Sequence, residues 1–410
     1  MTKLNELIQQ LCPDGVEYKT LGSFATISRG GDFQKKDFRD DGFPCIHYGQ
    51  IYTKYGLFVD KTVSFISPAC ASKQKTASKN DIIMAVTSEN IEDVCKCLVW
   101  LGDGEVAVSG HSAIIRHSQN PKYLAYYFHS RMFFDQKRKL AHGTKVIEVT
   151  PDKLASVKIP LPPIEVQREI VRILDNFTEL TAELTAELTA RKKQYEYYRD
   201  KLLALDVFGG RASKCERRTL GDIAKFTYGY TDKAKNAGDV RFIRITDIND
   251  SGYLSPSDAK YIDLTEESKK YLLKKGDLLL ARTGATYGKT LFFDSDEPAV
   301  YASFLIRIVL DNAVIRNRYY WHFSKSSLYW EQAEKYVSKG GQQQFNANAI
   351  SRVKVPIPSL EVQDRIINVL DNFDSICSDL NIGLPAEIAA RQKQYEYYRD
   401  KLLTFKEAKA

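Results

Sequence analysis

Apolar positions along the chain follow two patterns, and each pattern occurs twice. Short runs dense in β-branched and aromatic residues, bounded by Gly, Pro, Asn and Asp, read as strands joined by turns. They are FPCIHYGQIY (43–52), DIIMAV (81–86) and SAIIR (112–116), then VRFIRITDI (240–248), DLLLAR (277–282) and SFLIRIVL (303–310). Amphipathic helical stretches follow at 121–139 and 316–337, so each region is predicted to be a mixed α+β domain rich in strand. After the proline-rich IPLPP the pattern changes. Val166, Ile170, Ile173, Phe177, Leu180 and Leu184 recur in steps of four and three, a coiled-coil seam, with Leu188, Tyr195, Tyr198 and Leu202 beyond. A second seam runs Val362, Ile366, Val369, Phe373, Ile376 and Leu380. Gly383 and Pro385 then predict a break, with Pro385 in the first turn of a further helix carrying Ile388, Tyr395, Tyr398 and Leu402.

The patterns recur because the chain is an internal repeat. RKKQYEYYRDKLL (191–203) returns 200 residues later as RQKQYEYYRDKLL (391–403). IPLPPIEVQREIVRILDNF (159–177) returns 196 residues later as VPIPSLEVQDRIINVLDNF (355–373), so the second copy holds four extra residues between the blocks. Fainter matches pair KTLGSFATI (19–27) with RTLGDIAKF (218–226), KNDIIMAVT (79–87) with KGDLLLART (275–283), and PKYLAYYFHS (121–130) with RNRYYWHFSK (316–325). The helical parts are nearly identical and the globular parts divergent. Something identical is needed twice from the helices, and something different from each globular part. Two long helices with few neighbours in sequence are most economically packed on each other, antiparallel, which would place the globular parts at opposite ends about a pseudo-twofold axis.

Between the two blocks of the first copy lies TAELTAELTA (181–190). Thr-Ala-Glu-Leu is a sound helical unit. Four residues advance a helix about 6 Å and rotate it a net ~40°. One base pair of B-DNA advances about 3.4 Å and rotates roughly 35°. In heptad terms a four-residue insertion is a stutter, absorbed without loss of the seam.

Composition narrows the class. The 410 residues are 43% hydrophobic and 27% charged, which describes a globular chain of several domains. A formal net charge of +7 fits a nucleic-acid partner. No run of about 18 apolar residues occurs and the start has no signal-peptide core, so a cytoplasmic protein is expected. Seven scattered cysteines, six histidines, and the absence of CxxC and HExxH predict reduced thiols and no metal site. No Gly-x-Ser-x-Gly, glycine-rich dinucleotide fingerprint or Asn/Asp-Pro-Pro-Tyr/Phe is present. TGATYGKT (283–290) resembles a phosphate loop but leaves three residues between the glycines instead of four, and TLFFDSDEP after it reads as strand and turn. TPDKLASVK (150–158) echoes a nuclease motif, lacks the intervening acid and reads as a helix start.

Polar and aromatic residues gather at strand ends and loops. In the first globular part they are Arg29, His47, Tyr48, Gln50, Lys54, Thr87, Ser88, Asn90, Thr144 and Lys145. In the second they are Tyr228, Tyr230, Arg244, Thr246, Asn249, Arg282, Thr283, Thr286, Tyr287, Lys289, Gln342 and Gln343. Arg, Lys, Asn and Gln can read base edges, while Thr, Ser and Tyr hold phosphates. Matching placement in both halves is what singles the group out for DNA binding.

The order of these features resembles the specificity subunit of a type I restriction-modification system, of the C subfamily with TAEL repeats, over essentially the whole chain. The resemblance implies a non-catalytic DNA reader with no cofactor of its own. Each target-recognition domain (1–158 and 207–353) would read one half of a bipartite, asymmetric site in double-stranded DNA. Conserved helical spacers (159–206 and 354–410) would form an antiparallel coiled coil, the TAEL number setting the unread spacer. They would also dock two methyltransferase subunits that bind S-adenosylmethionine, through Gln194, Tyr195, Tyr198 and Arg199 and through Gln394, Tyr395, Tyr398 and Arg399. Two restriction subunits using ATP and Mg would join the assembly. A stand-alone DNA-binding regulator or coiled-coil scaffold is the alternative reading of the same pattern.

Overall fold

The computed structural model describes residues 2–205, 215–338, 343–378 and 382–408. The chain forms two compact units. Unit 1 holds Met1–Glu183 together with Ala389–Ala410, and unit 2 holds Leu184–Ile388. The division falls inside the TAEL repeat, within a helix that runs unbroken over Ile164–Ala204.

Each unit is built on the same frame. In unit 1 the principal sheet runs Ala25–Arg29, Ser112–His117, Ile82–Ala85, Cys97–Trp100, Phe58–Val59. In unit 2 it runs Ala224–Tyr228, Leu305–Leu310, Leu278–Ala281, Thr290–Phe292. The central strands Ile82–Ala85 and Leu278–Ala281 are buried on both faces, which is why they read as continuous apolar runs. Alternate residues face opposite cores. Ile82 and Met84 join the larger core under the helices, and Ile83 and Ala85 a smaller one. Leu278 and Leu280 divide from Leu279 and Ala281 in the same way. Each unit also has a smaller sheet with one parallel pairing, Phe43–Ile46 on Val106–Val108 in unit 1 and Val240–Ile243 on Ala299–Tyr301 in unit 2.

The strand runs at 43–52 and 240–248 are shorter than their apolar pattern suggests. His47 and Arg244 instead start a helix at Tyr48–Thr53 and a 3-10 turn at Ile245–Asp247. The helical stretches at 121–139 and 316–337 each divide in two. Ser130 and Ser326 break them by capping the second helix, accepting from the amides of Phe133 and Tyr329. TPDKLASVK forms a short separate helix, Pro151–Ala155, capped by Thr150.

The second long helix is interrupted where Gly383 and Pro385 predict. Leu360–Ser378 ends before it, and Leu384–Leu402 begins with Pro385 in its first turn. The seam expected in the helices is displaced. Val369 and Ile376 are exposed, while Gln363, Ile366, Leu370, Asp374 and Cys377 form the buried stripe. Gln167, Ile170 and Leu174 form the matching stripe in unit 1. The reason is that each helix first packs onto the helices and strands of its own globular part, and only a flanking face meets another helix. Leu380 lies outside the described residues.

That flanking contact is aromatic. In unit 2, Phe373 stacks on Tyr198 with centroids 5.9 Å apart and tilts against Tyr195 at 6.5 Å. Lys192 lines one cavity with Cys377, so the two segments run antiparallel. In unit 1, Phe177 stacks on Tyr398 at 5.5 Å. Each unit is thus completed by the trailing QYEYYRDKLL block supplied from the other half of the sequence. Among the described residues, no helix is long and apolar enough to cross a membrane, and no group of His, Cys, Asp and Glu could hold a metal ion.

Candidate nucleic-acid interface

The repeated blocks make the same contacts twice. Gln167 donates to the Pro162 carbonyl at 2.8 Å and accepts from the Asn120 amide at 3.1 Å. Gln363 donates to Pro358 at 2.9 Å and accepts from the Arg316 amide at 2.9 Å. Tyr123 donates to the Pro160 carbonyl and Tyr319 to that of Pro356. Gln136 exchanges two bonds with the Lys158 backbone, and Gln332 two with Lys354. These pairs fix where each long helix leaves its globular part.

The trailing blocks are held just as regularly. Arg199 donates to Asp200 at 2.9 Å, and Asp200 accepts from the Ser327 amide at a helix start. Arg399 donates to Asp400, which accepts from the Arg131 amide. Tyr195 is buried and bonds His322 at 3.1 Å, and Tyr395 sits 6.3 Å from Tyr126. Four of the residues expected to face a methyltransferase, Tyr195, Tyr395, Arg199 and Arg399, are therefore engaged in their own chain. Gln194 and Gln394 each accept from the arginine three residues before, at 3.1 Å. Tyr198 and Tyr398 stack on phenylalanine as above. What the blocks present outward is Lys193, Glu196 and Tyr197 in one copy and Lys393, Glu396 and Tyr397 in the other, with Tyr197 54% and Tyr397 60% exposed.

Beside these helices the units differ in charge. His322 lies 3.1 Å from the Tyr195 hydroxyl through Nδ1 and 2.7 Å from Asp371 through Nε2. A carboxylate only accepts, so Nε2 carries a proton, and the low value set by burial leaves Nδ1 unprotonated, to accept from the Tyr195 hydroxyl. Burial pushes the His322 value down to about 4. Lys325, partly buried, is lowered to about 7 by desolvation, although Asp374 opposes the shift. Unit 1 has Tyr126 donating to Asp175 at 2.6 Å where unit 2 has His322.

At the sheet rim, four backbone positions coincide between units, set by equivalent pairings. They are Arg29 and Tyr228, Val86 and Arg282, His111 and Phe304, and Glu148 and Gln344. Glycine follows the first position in both. A Cβ at Gly30 would collide with the carbonyls of Val108 and Ser109, and at Gly229 with those of Tyr301 and Ala302. In unit 1 Arg29 is ion-paired to Glu148, Thr87 bonds His111 at 3.1 Å, and the His111 ring lies 4.9 Å from Tyr48. In unit 2 the Arg282 guanidinium lies over Tyr228 and Phe304.

Several other candidates serve the fold. His47 is buried between Phe38 and Tyr48, caps the helix after it, and is held down at about 4 by burial, with Lys35 and His111 adding. Gln50 is buried on Ser64, and Asn90 caps the turn at Asp93. Arg244 is paired with Asp247 and Asp258, and Asn249 closes a turn onto the amides of Ser251 and Tyr253. Lys289 is paired with Asp250, Tyr287 packs on Trp330, and Tyr230 packs on Tyr271. Thr283 is buried in a bridge to Gln344, and Ser88 pairs with Ile147. Lys54, Thr144, Lys145, Thr246 and Gln343 are exposed. Gln342 lies outside the described residues. TGATYGKT forms a single 3-10 turn, Gly284–Thr286, followed by the strand Thr290–Phe292, so no helix start faces it. His111 and Phe304 were not singled out by sequence. Neither has a spacing signal, and only alignment of the two halves at strands 112–117 and 305–310 would have exposed them.

The sequence matches the family described as type I restriction modification DNA specificity domain twice, over residues 13–191 and 212–390. The chain belongs to that family. A putative type I restriction enzyme specificity subunit of Haemophilus influenzae is 33% identical over 318 residues, covering 74% of this chain and 77% of that one. The EcoR124I/EcoR124II specificity subunit of Escherichia coli is 35% identical over 273 residues, covering 60% of this chain and 63% of that subunit. In fold, the S subunit of the type I restriction-modification system of M. genitalium aligns over 95% of this chain and 96% of its own, with a TM-score of 0.54 at 15% identity. The doubled family match coincides with the repeat, each match stopping where a trailing block begins.

Proposed function

We propose that this specificity-family chain is the DNA-reading subunit of a type I restriction-modification complex and does no chemistry itself. The observation that carries this is a shared frame with unshared rims. The glutamine and aspartate contacts and those of Tyr123 and Tyr319 recur at equivalent positions, while the four coincident rim positions carry different side chains in each unit. Two readers with different rims fit an asymmetric site of two unlike halves. In this reading residues 1–158 and 207–353 are the target-recognition domains, and 159–206 and 354–410 the spacers. Exposed Lys54, Thr144, Lys145, Thr246 and Gln343 join the rim residues as candidate contacts to double-stranded DNA, whose phosphates the net charge of +7 suits.

The identical outward faces centred on Tyr197 and Tyr397 are the docking places for two methyltransferase subunits, which bring S-adenosylmethionine. Two restriction subunits bring ATP and Mg, and the complex works in the cytoplasm. The TAEL units favour membership of the C subfamily, in which they would act as the ruler for the unread spacer. Their Thr, Ala and Glu side chains are largely exposed, whereas Leu184 and Leu188 are half-buried. Leu188 packs against the larger core of unit 2, and each TAEL unit added or removed still leaves a leucine at that step of the helix.

The test is long-read mapping of methyladenine in DNA from cells expressing this chain with its methyltransferase partner. Methylation at one bipartite, asymmetric site is expected. Specific DNA binding by the chain alone, without any methylation in the presence of the partner, would favour a stand-alone regulator instead.

A further inference from the structure

Arg282 occupies a position where unit 1 has the fully buried Val86. Its backbone is fixed on both sides, the amide donating to the Phe304 carbonyl at 3.1 Å and the carbonyl accepting from the Phe345 amide at 2.8 Å. Nε donates to the Ser303 carbonyl at 3.0 Å. The guanidinium carbon lies 5.4 Å from the Tyr228 ring centroid and 5.5 Å from that of Phe304. Those rings are 43% and 51% exposed, so the stack sits at the surface and not in a core. Tyr228 is itself tethered, its hydroxyl accepting from the Ala347 amide at 3.2 Å.

Arginines nearby on the same frame are neutralised: Arg29 by Glu148, Arg244 by Asp247, and Arg307 by Asp277. Among the described residues Arg282 has no carboxylate within ion-pair distance, and its two terminal nitrogens have no hydrogen-bond partner. A phosphate would need only a charge, which a flexible lysine supplies as well. Two rings and a tied Nε do something else: they fix the plane of the guanidinium and aim its terminal N–H pair. A fixed plane matters for in-plane, two-point recognition, and the base edge that offers two acceptors side by side is the major-groove edge of guanine.

We infer that Arg282 reads a guanine in the half-site of unit 2, its terminal nitrogens donating to O6 and N7 while Tyr228 and Phe304 hold the guanidinium plane. This rests on the DNA-reading function proposed above. At the same frame positions unit 1 carries Arg29, Val86 and His111, with Arg29 closed off by Glu148, so the guanine contact belongs to one half-site only.

The experiment uses the complex of this chain with its methyltransferase and the duplex found by methylation mapping. Each guanine of the site is replaced in turn by 7-deazaguanine, which lacks the N7 acceptor, and affinity is measured at fixed salt for the wild type, Arg282→Lys and Arg282→Gln. One substitution, in one half-site, should weaken wild-type binding, and both variants should lose that sensitivity while responding normally to every other position. Loss of the contact should relax discrimination at that base by about 5- to 150-fold, with the other half-site unchanged as the internal control for folding. The inference is overturned if no 7-deazaguanine matters, if the sensitivity survives in both variants, or if Arg282→Gln weakens all duplexes equally and lowers the salt slope, as a phosphate contact would. A wild-type complex with no sequence preference would instead sink the DNA-reading function, and this inference with it.

Discussion

Gln167 and Gln363 are completely buried, and each satisfies one backbone amide and one carbonyl where a long helix leaves its globular part. Leucine at either position would leave those groups unpaired, at about 1–3 kcal/mol. Chemical denaturation of Gln167→Leu and Gln363→Leu should show similar losses, because the contacts are equivalent. His322 gives unit 2 a pH dependence, as His47 and His129, held equally low by burial, give unit 1. Its folded value, about 4, lies below the ordinary 6.5, so the unfolded chain takes up a proton that the fold refuses. Stability should fall as pH drops through 6.5, the loss being complete below about 4 and amounting to up to about 3 kcal/mol. His322→Tyr, which copies Tyr126, should flatten unit 2's response between pH 7 and 5 in thermal melts. An unchanged slope would mean that His322 is charged in the fold. Residue type alone does not show which side chains the fold has already engaged. Gln50, Asn90 and Asn249 are side chains that can read bases, but short polar side chains next to turns find their own backbone first. Arg29, Arg244 and Lys289 were rightly placed at strand ends, yet their carboxylate partners come from distant sequence and no local pattern announces them.

At the scale of the element, helix existence and the break at Gly383–Pro385 were legible because period and proline are local signals. The buried face was not. Val369 and Ile376 complete a plausible seam on paper, but the helix turns Ile366 and Leu370 toward its own globular part, and a sequence does not say which neighbour a helix prefers. The trailing blocks carry the same lesson. Their near-identity suggested a partner docking twice, and part of it is explained by equivalent packing inside each unit, through Tyr195, Asp200, Tyr395 and Asp400. The outward residues Tyr197 and Tyr397 remain for a partner. Tyr197→Ala and Tyr397→Ala should each change fold stability by about 0.5 kcal/mol or less, as exposed positions do. Native mass spectrometry should show one methyltransferase lost per single variant and both lost in the double variant. Full binding by the double variant would contradict docking at this face.

At the scale of the whole molecule, the repeat organises everything above. Each compact unit is assembled from both halves of the sequence, since the trailing block of one half finishes the unit of the other. The junction at Glu183 and Leu184 lies inside the repeated Thr-Ala-Glu-Leu. Changing that repeat alters the connecting helix and neither rim, so the account assigns spacing to one part of the chain and base reading to others. The most direct test of that division is methylation mapping, with the methyltransferase partner, of the wild type against a variant lacking Thr185–Leu188. The same two half-sites are expected, with the unread spacer one base pair shorter. Altered half-sites, or an unchanged spacer, would contradict it.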